Sequence, residues 1–335
     1  MKKNIVALAV AAAISAPVAM AGAPTVYGKL NFAFVDVAKK DGDAQSAGTT
    51  VNSIASRLGV KGSEDLGNGL KAIYKVEFGI TPDKSGKFED SDGDKSNGAL
   101  TNRNQYVGLK GGFGTVLLGR HDTPEKMSQA SDLFNDGAAD LANNNMVFDK
   151  SLVNETRASD VVAYVSPSFS GVKVTAAMIM GANDTDAAVD GTNDAMSAAI
   201  SYGSKKKGLY LAAAMTDNAK DSGAQDTTRL SAQYKANGLT GNVIYIDSND
   251  QAAGNAGDAT VTQLNVGYKI GKFMPKAKMS MVDPKAAGSD SITNMAYGLN
   301  YSLGKKTTAY IEIVDVDKDN TNGLDTTSIG MIHKF

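Results

Sequence analysis

The chain closes on the sequence DTTSIGMIHKF at positions 325–335. One parity of this segment carries Thr327, Ile329, Met331 and Phe335, and the other carries Ser328, Gly330, Ile332 and Lys334. A period of two residues is that of a β-strand, whose successive side chains point to opposite faces of a sheet. Chain ends usually fray. A regular strand that ends on an aromatic residue therefore predicts a strand paired along both edges, as in a sheet closed on itself.

The same alternation recurs along the chain. Sixteen segments show it, at 25–36, 52–64, 69–81, 100–111, 114–121, 158–167, 171–181, 194–203, 208–216, 227–236, 239–248, 259–270, 275–284, 292–303, 306–316 and 325–335. Each is close to the ~9–11 residues that a tilted membrane-spanning strand needs. Helical periodicity is nearly absent, and one short helix is expected around 124–134.

The connections between these segments alternate between short and long. Short turns such as Asn237-Gly238 and Gly304-Lys305 lie between long stretches rich in Asp, Asn and Gly, of which 122–157 is the longest. Seven tight turns on one side and eight long loops on the other are typical of an outer-membrane barrel. The fold class predicted is all-β, a 16-stranded antiparallel transmembrane β-barrel with short periplasmic turns and long extracellular loops.

The N-terminal residues have the pattern of a secretory signal. Two lysines precede an apolar run over 5–14, and the sequence AMA at 19–21 matches an A-x-A cleavage site. We expect residues 1–21 to be a signal peptide and 22–335 to be the barrel domain, with cleavage after Ala23 as the alternative. The apolar run is too short for a membrane-spanning helix.

Composition argues against several other classes of protein. The chain has no cysteine, two histidines and a formal net charge of −2, which excludes thiolate chemistry and argues against a nucleic-acid binder. His121 and His333 are far apart and neither lies near a Gly-x-Ser-x-Gly motif, so no enzyme, zinc site or cofactor is expected. The acidic runs at 90–94 and 315–320 lack the glycine and glutamate of a calcium loop.

Aromatic residues recur beside the short turns. Such a set predicts an interfacial girdle on the periplasmic side of the barrel. Its members are Tyr27, Tyr106, Phe113, Tyr164, Phe169, Tyr202, Tyr234, Tyr268, Phe273, Tyr301 and Phe335.

Several motifs resemble one family. They are YGKL at 27–30, SRLGVKGSEDLGNG at 56–69, NRNQYVGLK at 102–110, FGT at 113–115 with GR at 119–120, AYVSP at 163–167 and HKF at 333–335. Together they resemble the Gram-negative general porins, most of all the neisserial and beta- and gamma-proteobacterial branch. The resemblance implies a homotrimer that is open to ions and small hydrophilic solutes, carries no cofactor and folds its third long loop, 122–157, into the lumen. It also implies outer-membrane lipids and the barrel-assembly machinery as partners, with Phe335 as the assembly signal.

The resemblance further implies a charged constriction. The family's motifs place basic wall residues at Lys29, Arg57, Arg103, Arg120 and Arg157. Strand parity extends this wall to Lys61 and Lys75, which share a face with Arg57 and Lys71. The acids expected to oppose it on the third loop are Glu125, Asp132, Asp136 and Asp140.

Opposed rows of charge across a narrow wet gap orient dipolar solutes and disfavour apolar ones. The function expected is therefore passive diffusion through a weakly selective channel, with a slight preference for anions. One alternative is a substrate-specific outer-membrane channel, which an aromatic track along the lumen would favour, although the lumenal faces show no such track. Another is a secreted all-β binding or adhesion protein.

Overall fold

A computed structural model describes residues 23–38, 48–82, 100–180, 195–218, 225–250, 257–321 and 323–335. The signal peptide expected at 1–21 lies outside these residues. Among the helices in the described residues, none is both long enough and apolar enough to cross a membrane.

The described chain is almost entirely β-strand. The strands are β1 Thr25–Val37, β2 Gly48–Ser53, β3 Arg57–Gly67, β4 Leu70–Ile80, β5 Leu100–Gly111, β6 Gly114–Asp122, β7 Arg157–Val165, β8 Val172–Ile179, β9 Ala195–Gly203, β10 Gly208–Asp217, β11 Gln225–Ala236, β12 Leu239–Asp250, β13 Ala259–Tyr268, β14 Phe273–Pro284, β15 Ile292–Ser302, β16 Thr307–Asp315 and β17 Thr326–Lys334. One α-helix, α1 at Pro124–Ser128, and a 3-10 turn at Lys150–Val153 lie between β6 and β7.

The sheet is closed and antiparallel. Apart from β2 and β3, strands that are neighbours in sequence pair with each other, and β17 returns to pair with β1 from Lys29↔Lys334 to Val37↔Thr326. β2 and β3 both pair with β1 and are two halves of one wall strand, so the wall has sixteen strands. The predicted fold class is confirmed, and the long connections all leave from one end of the barrel.

The break between β2 and β3 has a local cause. Ala55 adopts a positive φ of 48°, which takes residues 54–56 out of the ladder. The Ser56 hydroxyl then accepts a hydrogen bond from the backbone N–H of Asn31 at 3.0 Å, in place of a backbone carbonyl. The single segment predicted at 52–64 is therefore interrupted, because a side chain satisfies the donor that a continuous strand would have paired.

The two faces of the wall differ as the alternation predicted. Outward side chains such as Phe34, Val107 and Leu230 are apolar and exposed, as a lipid-facing band requires. Most of the expected girdle is exposed near the short turns, but Tyr27 is not part of it. The hydroxyl of Tyr27 donates to Glu77 at 2.8 Å inside the barrel. Tyr106 also points inward, where it packs against His121 with ring centroids 5.0 Å apart.

Closure brings the C-terminus onto the first strand. The backbone N–H of Phe335 donates to the carbonyl of Gly28 at 3.1 Å, and the N–H of Gly28 donates back at 3.3 Å. A β-carbon on Gly28 would lie 2.4 Å from the Phe335 ring and 2.6 Å from the backbone oxygen of Arg57. Glycine is therefore required at position 28, where Phe335 pairs with the first strand.

The connection between β6 and β7 folds into the barrel. Its apolar side chains, among them Leu141, Val147 and Leu152, are buried against Ile244 and Val261 of the inner wall. A second cluster joins Phe134, Ala139 and Met146 to Ala296, Val314 and Val316. The helix expected around 124–134 ends at Ser128, because Gln129 takes an extended conformation and buried turns follow. The loop is thus packed on one side of the lumen.

Candidate pore constriction

The loop is anchored by a buried arginine of the wall. Arg229 of β11 has no exposed side-chain surface, and its guanidinium lies 2.6 Å from Glu155 and 3.5 Å from Glu125. It also donates to the backbone carbonyl of Val153. A buried guanidinium needs this many partners, because its desolvation is otherwise uncompensated.

Glu125 belongs to this anchor and does not face the pore. Its carboxylate is fully buried and accepts hydrogen bonds from the hydroxyls of Thr216 at 2.5 Å and Thr227 at 2.6 Å. Burial raises the pKa of Glu125, and Arg229 together with the two hydroxyls opposes that rise. The prediction that Glu125 is a pore-facing acid is wrong, because α1 turns its first residues toward β10 and β11.

A second anchor uses two lysines of β14. Lys278 lies 2.9 Å from Asp132, and both side chains are almost fully buried. Lys276 pairs with Glu312 of β16 at 2.6 Å and lies over the Phe134 ring, 4.2 Å from its centroid. Asp132 therefore fixes the loop to the wall. Its expected place facing the pore is wrong, because its carboxylate is buried against Lys278.

Asp136 reaches across the lumen from the free edge of the loop. Its carboxylate lies 2.5 Å from Lys29 Nζ and also contacts the guanidinium of Arg57. The backbone N–H of Asp136 donates to Asp140 at 2.7 Å, which holds the turn. Burial alone would raise the pKa of Asp136, but Arg57 and Lys29 outweigh it and hold that pKa below its ordinary value.

The facing wall also contains an acid. Glu77 of β4 lies 2.8 Å from Arg103 and 3.2 Å from Lys75, besides accepting from the Tyr27 hydroxyl. A β-bulge sets two residues of β5, Arg103 and Asn104, opposite this single residue. The bulge brings two consecutive polar side chains toward the pore, which a regular strand cannot do.

Next to this cluster, Arg157 at the start of β7 pairs with Asp122 at the end of β6. Their closest atoms are 2.8 Å apart. Asn104 bridges the pair, accepting from Arg157 at 2.9 Å and donating to Asp122 at 2.8 Å. The two ends of the third loop are therefore held together on the basic side of the wall.

A polar cavity of about 470 Å³ separates the loop edge from this wall. Its charged lining is balanced between both signs. The cations are Arg57, Arg103, Lys126 and Arg157, and the anions are Asp122, Asp136, Asp140 and Glu155.

The structure brings most of the sequence-predicted residues to this cavity and separates others from it. Those at or next to the cavity are Lys29, Arg57, Arg103, Arg157, Asp136 and Asp140, with Lys75 joined through Glu77. Lys61 lies over the Tyr27 ring at 5.1 Å, and Arg120 donates to Ser159 at 2.8 Å. Neither of these two side chains belongs to the cavity lining among the described residues.

Sequence reasoning missed three residues that organise the site. Glu77 shares strand parity with Lys75, so alternation alone could have placed it on the same face. Asp122 is the first residue of the stretch 122–157 assigned to the third loop, but it is the last residue of β6 and lies opposite Arg157 in the ladder. Arg229 carried no signal beyond its position at a strand start, because its role depends on which wall the loop packs against.

Comparison with known proteins agrees with this architecture. A family model described as Gram-negative porin matches residues 7–321. Major outer membrane protein P.IB of Neisseria gonorrhoeae is 35% identical over 136 residues, which cover 39% of this chain and 35% of that relative. Outer membrane porin protein 32 of Delftia acidovorans is 36% identical over 183 residues, covering 51% of this chain and 47% of that protein. The chain thus spans about a third to a half of these relatives' length.

Solved structures share the fold over nearly the whole chain. An anion-selective porin from Comamonas acidovorans has a TM-score of 0.73 at 22% identity and covers 94% of this chain and 100% of its own. The trimer form of OmpT from Vibrio cholerae has a TM-score of 0.67 at 16% identity, covering 94% and 100%. The family match, the closed barrel and these outer-membrane relatives show that the chain belongs to the Gram-negative porin family and is located in the outer membrane.

Proposed function

We propose that the barrel is a passive channel for ions and small hydrophilic solutes. The observation that carries the proposal is the docking of the third loop on one side of the lumen, which leaves a polar cavity beside the Asp136 contact. Apolar packing and buried ion pairs hold the loop, so the gap has a fixed wall rather than a mobile plug. Charged side chains line the path that a solute would take.

The proposed constriction has opposed charges of nearly equal number. Arg57, Arg103 and Arg157 stand on the barrel side, and Asp136 and Asp140 stand on the loop side. Such an arrangement sets up a transverse field that orders water and orients dipolar solutes, and it gives little net preference for one ion sign. We expect weak selectivity with a slight excess of anions, because the guanidinium charges are permanent.

The proposal extends to assembly and to chemistry. The chain is proposed to form a homotrimer, which the trimer form of one structural neighbour supports. Phe335 is proposed as the signal that the assembly machinery reads, and its backbone pairing with Gly28 places it at the closing seam. Family membership indicates a channel rather than an enzyme, and we propose that the protein catalyses no reaction.

A substrate-specific channel remains the second candidate, and the inward tyrosines favour it. Tyr27 and Tyr106 stand on the basic side of the lumen, where no aromatic track was expected. The Tyr27 ring is, however, already covered by Lys61 at 5.1 Å and Lys75 at 5.8 Å, and its hydroxyl is bonded to Glu77. The face of the Tyr27 ring is therefore less available for stacking against a solute than an uncovered aromatic ring would be.

Single-channel recording in a planar bilayer under a salt gradient tests the main proposal. We expect large ohmic steps that arrive in threes, with a small reversal potential. Small steps that one particular solute blocks would support the specific channel instead. Failure to insert, with protein soluble without detergent, would contradict both.

The constriction itself is tested by Arg57→Ser combined with Arg103→Ser. Removing two permanent cations from the cavity lining is expected to shift the reversal potential toward cations. Arg120→Ser is the matched control, because Arg120 lies on the same wall but outside the lining. An equal shift in the control, or none in the double variant, would remove the assignment.

A further inference from the structure

The short-turn end of the barrel is strongly basic. Exposed lysines surround this mouth on eight strands or turns, and few carboxylates accompany them. They are Lys71, Lys110, Lys173, Lys206, Lys207, Lys235, Lys269, Lys272, Lys305, Lys306 and Lys334. The acids near them are Glu64 and Asp65. Among the described residues, the one ion pair here joins Lys71 to Asp65 at 3.7 Å.

Part of this set points into the mouth rather than toward lipid. Lys235 has the parity of Gln233, and Lys269 has that of Asn265, both of which are inward and buried. Lys334 lies opposite the inward Lys29. The lysine side chains therefore crowd the entrance to the lumen, where their fields add.

Several of these lysines are paired with like charges at a cost in stability. Lys71 lies directly opposite Lys110, and Lys334 lies opposite Lys29. Like charges directly opposite on neighbouring strands destabilise a sheet. Two such pairs concentrate positive charge at this mouth, although Asp65 lies 3.7 Å from Lys71 and Asp136 lies 2.5 Å from Lys29.

The long-loop end has the opposite sign. Its described acids are Asp36, Asp160, Asp217, Asp226, Asp247, Asp258, Asp283, Asp290, Asp315, Asp317, Asp319 and Asp325. The described lysines at that end are Lys150, Lys285 and Lys318, of which Lys285 pairs with Asp247. The channel is thus polarised along its axis, in addition to the transverse charge separation at the constriction.

We propose that the short-turn mouth is a capture site for multivalent anions, which enter and block the channel from that side. This inference rests on the proposed channel function. A mouth of one sign with low-dielectric walls concentrates counter-ions and raises their entry rate by roughly 10- to 1,000-fold. A multivalent anion feels this field in proportion to its charge, whereas the acidic mouth at the other end repels it.

The ligand class follows from the geometry of the ring. Lysine ammonium groups on flexible stems are strongly hydrated point charges that suit phosphate groups of varied shape. They are spread around a wide mouth rather than gathered in one pocket. The site therefore fits a flexible or extended polyanion better than a compact monovalent one.

Sided addition of inorganic tripolyphosphate to single channels tests the proposal. The chain has no native cysteine. In Ser204→Cys, a polymer-linked maleimide too large for the pore therefore reports which compartment faces the short turns. We expect block at about tenfold lower tripolyphosphate concentration from that side in 0.1 M KCl. The difference should vanish in 1 M KCl, where the screening length falls to about 3 Å.

Two triple variants distinguish the effect of these lysines on the block from the effect of the protein's net charge. The first variant replaces Lys110, Lys235 and Lys269 by Gln, and it should abolish the sidedness of the block. The second variant replaces Lys150, Lys285 and Lys318 by Gln. It makes the same change in charge at the other mouth and should preserve or increase the sidedness of the block. Open channels that tripolyphosphate blocks equally from both sides would overturn the inference alone, whereas an absence of channels would overturn the proposed function.

Discussion

Asp136 is the residue on which the two sides of the constriction meet. Its backbone has a positive φ of 70°, a conformation that Asp and Asn tolerate better than most residues. Its carboxylate neutralises parts of two cations, Lys29 and Arg57, that belong to different strands. One side chain thus fixes both the position of the loop edge and the local balance of charge.

Asp136→Asn is expected to make the channel more anion-selective. The amide preserves the backbone preference and the size of the side chain, but it leaves Lys29 and Arg57 without their anion. We expect the anion-to-cation permeability ratio, measured from the reversal potential, to rise severalfold. Asp149→Asn is a suitable control, because Asp149 lies on the same loop and caps the 3-10 turn, away from the cavity. An unchanged ratio in Asp136→Asn would contradict the role of this contact.

Acidification should produce the same change reversibly. Because the folded pKa of Asp136 is lowered, the stabilising contact is complete above the ordinary Asp value of about 3.9 and is lost as the pH falls through the lowered pKa. Anion selectivity in the wild-type channel is therefore expected to rise at the acid end of a pH series, below pH ~4. In Asp136→Asn this part of the titration should be absent. A wild-type transition centred above the ordinary Asp pKa would contradict the assignment.

At the scale of the element, the third loop behaves as a packed part of the barrel. Its apolar underside covers the inner wall of β12 to β16, and its charged groups are satisfied by Arg229 and Lys278. Burying Glu125 and Glu155 is costly unless their cation stays in place. The position of the loop therefore depends on Arg229, which does not itself line the cavity, although its partner Glu155 does.

Arg229→Met should release the loop without unfolding the barrel. It leaves the buried Glu125 without a cation and leaves Glu155 only Lys126, 3.7 Å away. Removing one partner of a buried ion pair costs about 3–5 kcal/mol. We expect noisier and larger open-channel currents together with faster proteolysis between β6 and β7. The triple change of Arg229→Met with Glu125→Gln and Glu155→Gln should restore much of the docking, because no buried charge is left alone. Identical currents in wild type and Arg229→Met would show that packing alone holds the loop.

The whole molecule depends on one seam between its ends. β17 pairs with β16 on one side and with β1 on the other, and Phe335 exchanges backbone hydrogen bonds with Gly28 of β1. A barrel in lipid can leave no edge open, because unpaired backbone groups cannot be hydrated there. The last strand must therefore fit the first one closely.

Gly28→Ala is expected to weaken this closure by about 1–3 kcal/mol, as overpacking does. The Phe335 ring can move, but the backbone oxygen of Arg57, 2.6 Å from the added carbon, cannot do so without disturbing the ladder. Folding yield in detergent, followed by the heat-modifiable shift on gels, measures the effect. Gly241→Ala is the control, because a β-carbon there meets no atom within 4 Å. Equal yields in the two variants would contradict the steric argument.

The strand pattern could be predicted because it is local. Lipid on one face and water or polar contacts on the other force a period of two along every strand, and the turn lengths record which end each connection lies on. The predicted segments at 100–111 and 325–335 accordingly differ little from β5 and β17. The segment at 52–64 failed in one detail, since the Ser56 side chain interrupts it.

The sequence by itself determined the closed barrel. Its resemblance to a family indicated the inward loop and a basic wall, of which Arg57, Arg103 and Arg157 line the cavity whereas Arg120 and Lys61 do not. Only the tertiary structure decided which loop acids face the pore, because their partners lie on strands far away in sequence. Asp136 meets Lys29 across 107 positions, whereas Asp132 is taken by Lys278 across 146. The sequence around an acidic loop residue is the same whether its carboxylate faces the pore or pairs with a wall lysine. What separates them is the wall against which the loop buries its apolar side.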